Sequence, residues 1–232
     1  MEIIAEIGQN HNGDMDMAIE LIRQAKENGA DVAKFQLYDA KALFPKEGNE
    51  WFDYNCKTEL TRDQLEQLSD ECARIGIEFM SSVFDVGRIS WLEDIGVNRY
   101  KIASRSIYDA DLIKAVAKTN KRVIMSLGHW RGEKLPSYEV PGGVDYLYCI
   151  SKYPTPLNEV KLSIVDFKVH AGFSDHTLGI TSCIAAFSRG ARIIEKHFTL
   201  DKQLYGPDHA CSMDPSELKQ LSQYRDELMS CL

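Results

Sequence analysis

The chain has 232 residues, 44% hydrophobic and 27% charged, with a formal net charge of −8. That length suits one domain, close to the roughly 200–250 residues of a spare (β/α)8 barrel. The acidic balance, offset by no basic stripe, argues against nucleic acid as the main partner, and no apolar run approaches the ~18 residues of a membrane span. The opening Met1-Glu2-Ile3-Ile4-Ala5-Glu6 has no basic region and no long apolar core, so it is not expected to be a signal peptide. Eight runs of strand type follow one another: Ile3 to Gly8, Val32 to Gln36, Glu78 to Val83, Arg99 to Ser104, Arg122 to Leu127, Val144 to Ser151, His170 to Asp175 and Arg192 to Phe198. Rich in Ile, Val, Phe and Tyr with little strict alternation, they read as parallel strands buried on both faces.

Helical stretches separate most of these runs. Met15 to Asn28 places Ala18, Ile22 and Ala25 on one face, with Gly29 available for a left-handed cap. Thr61 and Gln64 fit a capping box with Leu60 and Leu65 as its staple, and Leu65, Leu68, Cys72 and Ile75 line one face up to Gly76. Asp109 caps a helix over Ala110 to Thr119; Leu178 to Arg189 ends at Gly190; Asp214-Pro215-Ser216-Glu217 starts the last helix. Leu37 to Glu59 reads as a long loop carrying Phe44, Trp51, Phe52 and Tyr54. Gly128 to Gly143 holds Pro136, Pro141 and Gly142, so the fifth helix is expected to be missing or reduced. An open doubly wound sheet is the competing arrangement. The strand count and the polar residues at the strand C-termini favour a single-domain (β/α)8 TIM barrel of α/β class.

The six cysteines, Cys56, Cys72, Cys149, Cys183, Cys211 and Cys231, form no C-x-x-C pair, which points to reduced thiols in a cytoplasmic protein. His176 and His197 follow the last two strands, which are neighbours in a barrel; they suit a metal with open positions, or a hydrogen-bonded pair at the mouth. Lys34 and Lys101 are flanked by strand apolars, where an unpaired charge is costly. With Ser104, Ser126 and Ser174 they suit a multiply charged anion; ion pairs with Glu6 or Glu195 are the plainer reading. Glu6, Asn10, His11 and Asn12 at the end of the first strand, and Glu195 at the end of the eighth, suit a polyhydroxylated substrate or proton handling. Asp208 alone reads as a turn residue.

Ala5-Glu6-Ile7-Gly8-Gln9-Asn10-His11-Asn12-Gly13-Asp14, Val32-Ala33-Lys34-Phe35-Gln36, Tyr100-Lys101-Ile102-Ala103-Ser104, Tyr153-Pro154-Thr155-Pro156, Gly172 to Gly179, Glu195-Lys196-His197-Phe198-Thr199 and Gly206 to Ser212 occur in that order. Together they resemble the N-terminal barrel of the N-acetylneuraminate synthases over nearly the whole chain. The resemblance implies an enzyme that condenses phosphoenolpyruvate with an aldose to give a 2-keto-3-deoxy sugar acid. It implies a divalent metal on His176 and His197, Mn2+ with Mg2+ or Co2+ as alternatives, polarising the aldehyde oxygen. Lys34, Lys101, Ser104, Ser126 and Ser174 match phosphoenolpyruvate contacts; Glu6, Gln36, Tyr153, Glu195 and Asp208 match residues around the acceptor. Glu6, Lys101 and Glu195 are the expected catalytic groups, and a homodimer is expected. The family pattern has Glu where this chain has Ser106 and Asn where it has Ser151, and it continues into a small antifreeze-like domain that reaches the partner's site. These departures leave open a differently specialised barrel: an aldolase, a synthase of shorter sugar acids or a non-catalytic ligand-binding protein.

Overall fold

A computed structural model describes residues 1–231. Eight parallel strands close into a barrel in chain order: β1 (Glu2–Gly8), β2 (Val32–Leu37), β3 (Glu78–Val83), β4 (Arg99–Ile102), β5 (Arg122–Ser126), β6 (Val144–Cys149), β7 (Gly172–Asp175) and β8 (Ile193–His197). β1 closes the ring by pairing with β8 as well as with β2. The open doubly wound alternative is thereby excluded.

Side chains alternate across each strand, so the bore fills in layers two residues apart. Ile4, Val32, Met80, Ile124, Leu147, Ala171 and Ile193 form an apolar layer of their own. One step below lies an ionic layer in which Arg99 pairs with Glu2 and Glu78, and Arg122 with Asp145. One step above, most strands turn polar, with Glu6, Lys34, Ser82, Ser126, Ser174 and Glu195 buried at matching positions, while β6 places Cys149 there. Charges are therefore confined to the two ends of the bore, and the apolar layer separates them. The larger apolar core lies outside the strands, under the helices.

The helices are α1 (Met15–Glu27), α2 (Ala40–Leu43), α3 (Phe52–Lys57), α4 (Arg62–Ile75), α5 (Ile89–Asp94), α6 (Ala110–Ala117), α7 (Leu157–Val160), α8 (Thr181–Ser188) and α9 (Pro215–Cys231). Their ends obey local chemistry. The Asp14 carboxylate accepts from the Asp16 and Met17 amides, Thr61 and Gln64 close the capping box of α4, and Asp109 accepts from the Leu112 amide. Several expected boundaries move. The fourth strand stops at Ile102 because Ser104–Ser106 coil into a 3-10 turn. The sixth stops at Cys149, and the seventh begins at Gly172 instead of His170. Helix α8 starts at Thr181, since Gly179 adopts φ +71° and leaves Leu178 exposed in the preceding turn. The segment Leu37 to Glu59 is not one loop but carries α2 and α3. No helix lies between β5 and β6, as Pro and Gly content dictated; α5 and α7 are also cut to 6 and 4 residues, which the sequence did not reveal. No described helix is long and apolar enough to cross a membrane. All six cysteines are free thiols.

Candidate active site

The polar top layer lines a narrow inner cavity of about 60 Å³ bounded by Glu6, Lys34, Gln36, Ser82, Lys101, Ser104, Ser126, Ser174, Glu195 and both histidines. It opens past Gln36, Ala103, Ser104, Tyr153 and His197 into an outer cleft of about 510 Å³ at the strand C-termini. The outer walls come from Phe44 and Trp51 of the β2–α4 segment, Arg105 after β4, His129 after β5, Ser151 after β6, and Pro207 and Asp208 after β8.

Lys34 and Lys101 are 1% and 2% exposed, so their charges must be met inside the protein. Lys34 Nζ lies 2.6 Å from Glu6 Oε2 and 3.6 Å from Glu195 Oε2, and donates to Ser82 Oγ at 2.9 Å. Burial pulls its pKa down, but the two carboxylates outweigh that and hold it above the ordinary lysine value. Lys101 Nζ has Glu195 Oε1 at 3.5 Å and the Ile102 carbonyl at 3.2 Å. Here burial wins, aided by the Lys34 charge, and the pKa falls below the ordinary value. Glu195 Oε1 also accepts from Ser174 Oγ at 2.9 Å. Burial pushes its carboxyl up, yet Lys101, Lys34 and Ser174 hold it well below the usual carboxylate range. The ion-pair and anion-site readings of the lysines are thus compatible. Two ammonium groups share two carboxylates, and Lys101, the less firmly paired, is the one with capacity for an incoming anion.

The hydroxyls differ in state. Ser104 Oγ accepts the His129 amide at 2.7 Å, whereas the buried Ser126 Oγ and Ser151 Oγ have no partner. The close approach of Ser104 and Ser151 depends on Gly128, where a Cβ would lie 2.3 Å from Ser151 Oγ and 2.9 Å from Ser104 Oγ. Gln36 Nε2 donates to Glu6 Oε1 at 2.9 Å, over Gly8, whose φ is +54°.

His197 lines both cavities and His176 the inner one, their rings 5.8 Å apart and both 6% exposed. The Ile150 carbonyl accepts from His176 Nδ1 at 2.8 Å, which keeps the ring proton on Nδ1 and leaves Nε2 with its lone pair. Burial, reinforced by His197, lowers the His176 pKa to about 4, so the ring is neutral near pH 7. His197 Nδ1 is buried without a hydrogen bond, 3.9 Å from Asp208 Oδ2. These two imidazoles fit a metal held by few protein ligands. No third His, Cys, Asp or Glu completes a cluster among the described residues. Tyr153 leans on His176, with ring centroids 4.0 Å apart. Behind the histidines, Asp175 and Lys196 form a fully buried ion pair at 2.7 Å.

Three expected participants stand elsewhere. Asn10 donates to the Phe198 carbonyl and Ser212 Oγ, His11 accepts the Gly13 amide, and Asn12 accepts from Tyr54. They brace the rim and line neither cavity, because the turn after Gly8 carries them behind the wall. Ser106 is likewise buried off the wall, and its neighbour Arg105 faces the cleft instead. Asp208 proves to be a wall residue, its carbonyl accepting from Ser212 Oγ at 2.7 Å, and the next residue, His209, bonds Thr199 and Asn12. Ser82, Arg105 and His129 were missed by the sequence reading. Period-two alternation from Met80 would have found Ser82; Arg105 and His129 sit on turns that carry no such period.

The sequence pattern of the NeuB family matches residues 21–231. The chain is 40% identical over 230 residues to an uncharacterized protein of Methanocaldococcus jannaschii, covering 94% of this chain and 68% of that one. It is 37% identical over 246 residues to the N,N'-diacetyllegionaminic acid synthase of Campylobacter jejuni, covering 94% and 73%. Among solved structures, an N-acetylneuraminic acid (sialic acid) synthetase from Leptospira borgpetersenii in complex with citrate superposes with a TM-score of 0.88 at 30% identity, covering 99% of this chain and 84% of that one.

Proposed function

Because the chain belongs to the NeuB family, we propose that it condenses phosphoenolpyruvate with an aldose to give a 2-keto-3-deoxy sugar acid and inorganic phosphate. The observation that carries this reading is the pair of buried lysines among serine hydroxyls, of which Ser126 Oγ has no partner, sealed below by the apolar layer and open above onto two imidazoles. An anion with two charged ends fits such a chamber. Its carboxylate and phosphate are met by Lys34, Lys101 and the Ser104, Ser126 and Ser174 hydroxyls, which fix the enol carbon toward the outer cleft.

A divalent metal on His176 and His197 would supply Lewis acidity to the acceptor's aldehyde oxygen. C3 of the enol attacks the aldehyde carbon, water adds at C2, and the C2–O bond breaks to release phosphate. Glu195 is ionised and can only accept, so it orients that water and takes its proton. Lys101, with its lowered pKa, is the readiest proton donor in the chamber. Glu6 acts with Gln36, to which it is bonded, in orienting the acceptor as it passes the junction, where Tyr153 and Asp208 form the opposite wall.

The test is phosphate release from phosphoenolpyruvate with Mn2+ and a panel of aldoses. Release that depends on an aldose and is abolished in Lys101→Ala supports the reading. No release with any aldose, or equal release by Lys101→Ala, sinks it.

A further inference from the structure

We infer that Gln9 is a positioning residue: its amide fixes which end of the Asn55 amide faces the outer cleft, so that the wall presents a donor, Asn55 Nδ2, at that point. The inference rests on the proposed condensation. Both residues line the 510 Å³ cleft and are buried, at 5% and 3% exposure. Gln9 follows Gly8 in the turn after β1, where its carbonyl accepts from Tyr54 Oη at 3.0 Å, and Asn55 lies on α3.

A primary amide can be turned end for end without changing its shape, so its neighbours decide which end is which. Here the neighbours are two hydroxyls with one proton each and two main-chain carbonyls that only accept. Thr58 Oγ1 donates to the Tyr54 carbonyl at 2.9 Å, and Tyr38 Oη donates to the Asn55 carbonyl at 3.1 Å. Burial pushes the Tyr38 pKa up to about 12, so the phenol keeps its proton near pH 7. With both protons committed, the two oxygens turn lone pairs toward Gln9. Gln9 Nε2 meets them, 2.5 Å from Tyr38 Oη and 3.2 Å from Thr58 Oγ1, and donates to Asn55 Oδ1 at 2.9 Å. Asn55 Oδ1 is thereby held inward. Asn55 Nδ2 and Gln9 Oε1 bond no group among the described residues, which leaves one donor and one acceptor for the cleft. A sugar hydroxyl, which gives one proton and accepts another, matches that pair. Reversing Gln9 would oblige the one Tyr38 proton to serve both Gln9 Oε1 and the Asn55 carbonyl, and a buried acceptor would go unmatched.

Gln9→Glu replaces the donor by an acceptor at nearly constant shape. Asn55 must then turn Nδ2 inward, and the wall presents only acceptors, which a hydroxyl cannot satisfy with one proton. In phosphate-release assays the KM for the most efficient wild-type aldose should rise about tenfold to a hundredfold, the cost of leaving a buried polar group unmatched. The KM for phosphoenolpyruvate, bound in the inner cavity, should not move. In an Asn55→Ala background Gln9→Glu should add nothing, because Gln9 acts through Asn55. Gln9→Met, which frees the Asn55 amide without reversing it, should give a smaller rise confined to the aldose, and it replaces Gln9→Glu if the carboxylate prevents folding. The side-chain NH2 resonances read the same orientation without turnover, assigned by their absence in Gln9→Met and Asn55→Ala. In wild type the Gln9 pair, bonded inside, should exchange with water at least about tenfold more slowly than the Asn55 pair. An unchanged aldose KM, an equal rise for both substrates, additive effects in the double variant, or equal exchange of the two NH2 pairs overturns the inference. Absence of phosphate release with every aldose sinks the condensation instead, and exchange then decides the orientation alone.

Discussion

The Asp175–Lys196 pair makes a quantitative prediction about what holds the two histidines in place. Both side chains are fully buried, and each residue is next to a histidine in sequence. The Asp175 carboxylate accepts from Lys196 Nζ at 2.7 Å, the Thr177 amide and Thr177 Oγ1 at 3.0 Å, Ser182 Oγ at 2.9 Å and Cys183 Sγ at 3.2 Å. Lys196 has only one further acceptor, the Thr177 carbonyl at 2.7 Å. The two deletions are therefore unequal. Lys196→Met leaves a carboxylate with four donors, which can also take up a proton. Asp175→Ala leaves a buried ammonium with one acceptor and strands the Thr177 amide. Breaking a buried pair costs about 3–5 kcal/mol, so Lys196→Met should fall near the lower figure and Asp175→Ala near or above the upper one. At about 2–4 °C per kcal/mol for a domain of this size, Tm should drop by about 6–12 °C and about 10–20 °C. Calorimetry of the three proteins at pH 7 reads this directly. Equal losses, a reversed order, or a loss under about 1 kcal/mol in Asp175→Ala would refute a network centred on the carboxylate.

His11 supplies a pH prediction: burial lowers its pKa to about 4 from an ordinary 6.5, so the unfolded chain binds the extra proton between those values. Its contribution is complete above pH 6.5 and is lost as pH falls toward 4, on the order of 3 kcal/mol; urea midpoints against pH should slope less for His11→Gln than for wild type. Lys34→Ala should weaken phosphoenolpyruvate binding by about 2–5 kcal/mol, and unchanged calorimetric affinity would make Lys34 purely structural. His176→Ala/His197→Ala should lose bound Mn2+ in metal analysis, and equal content in both proteins removes the metal from those residues. Gly128→Ala should displace the Ser104 and Ser151 hydroxyls and raise the KM for phosphoenolpyruvate about tenfold or more, an effect of about 1.4 kcal/mol; an unchanged KM would show that those hydroxyls do not touch it.

The chain alone revealed the eight strands, the helix caps and the residues buried within strands. These features rest on interactions between residues a few positions apart: alternation, periodicity, and the Thr61 and Asp109 caps. Lys34, Lys101 and Glu195 stood out for the same reason, since a charge inside an apolar strand is improbable unless something meets it. What met it was a matter of barrel closure. Only the pairing of β1 with β8 brings both Glu6 and Glu195 to one ammonium, and only the matched registers separate an ionic floor from the polar chamber by an apolar layer. The turns after the strands were least legible. A residue there faces the cleft or the wall according to how one turn packs on another, which is why Asn10, His11 and Ser106 lie behind the surface while Arg105 and His129 form it.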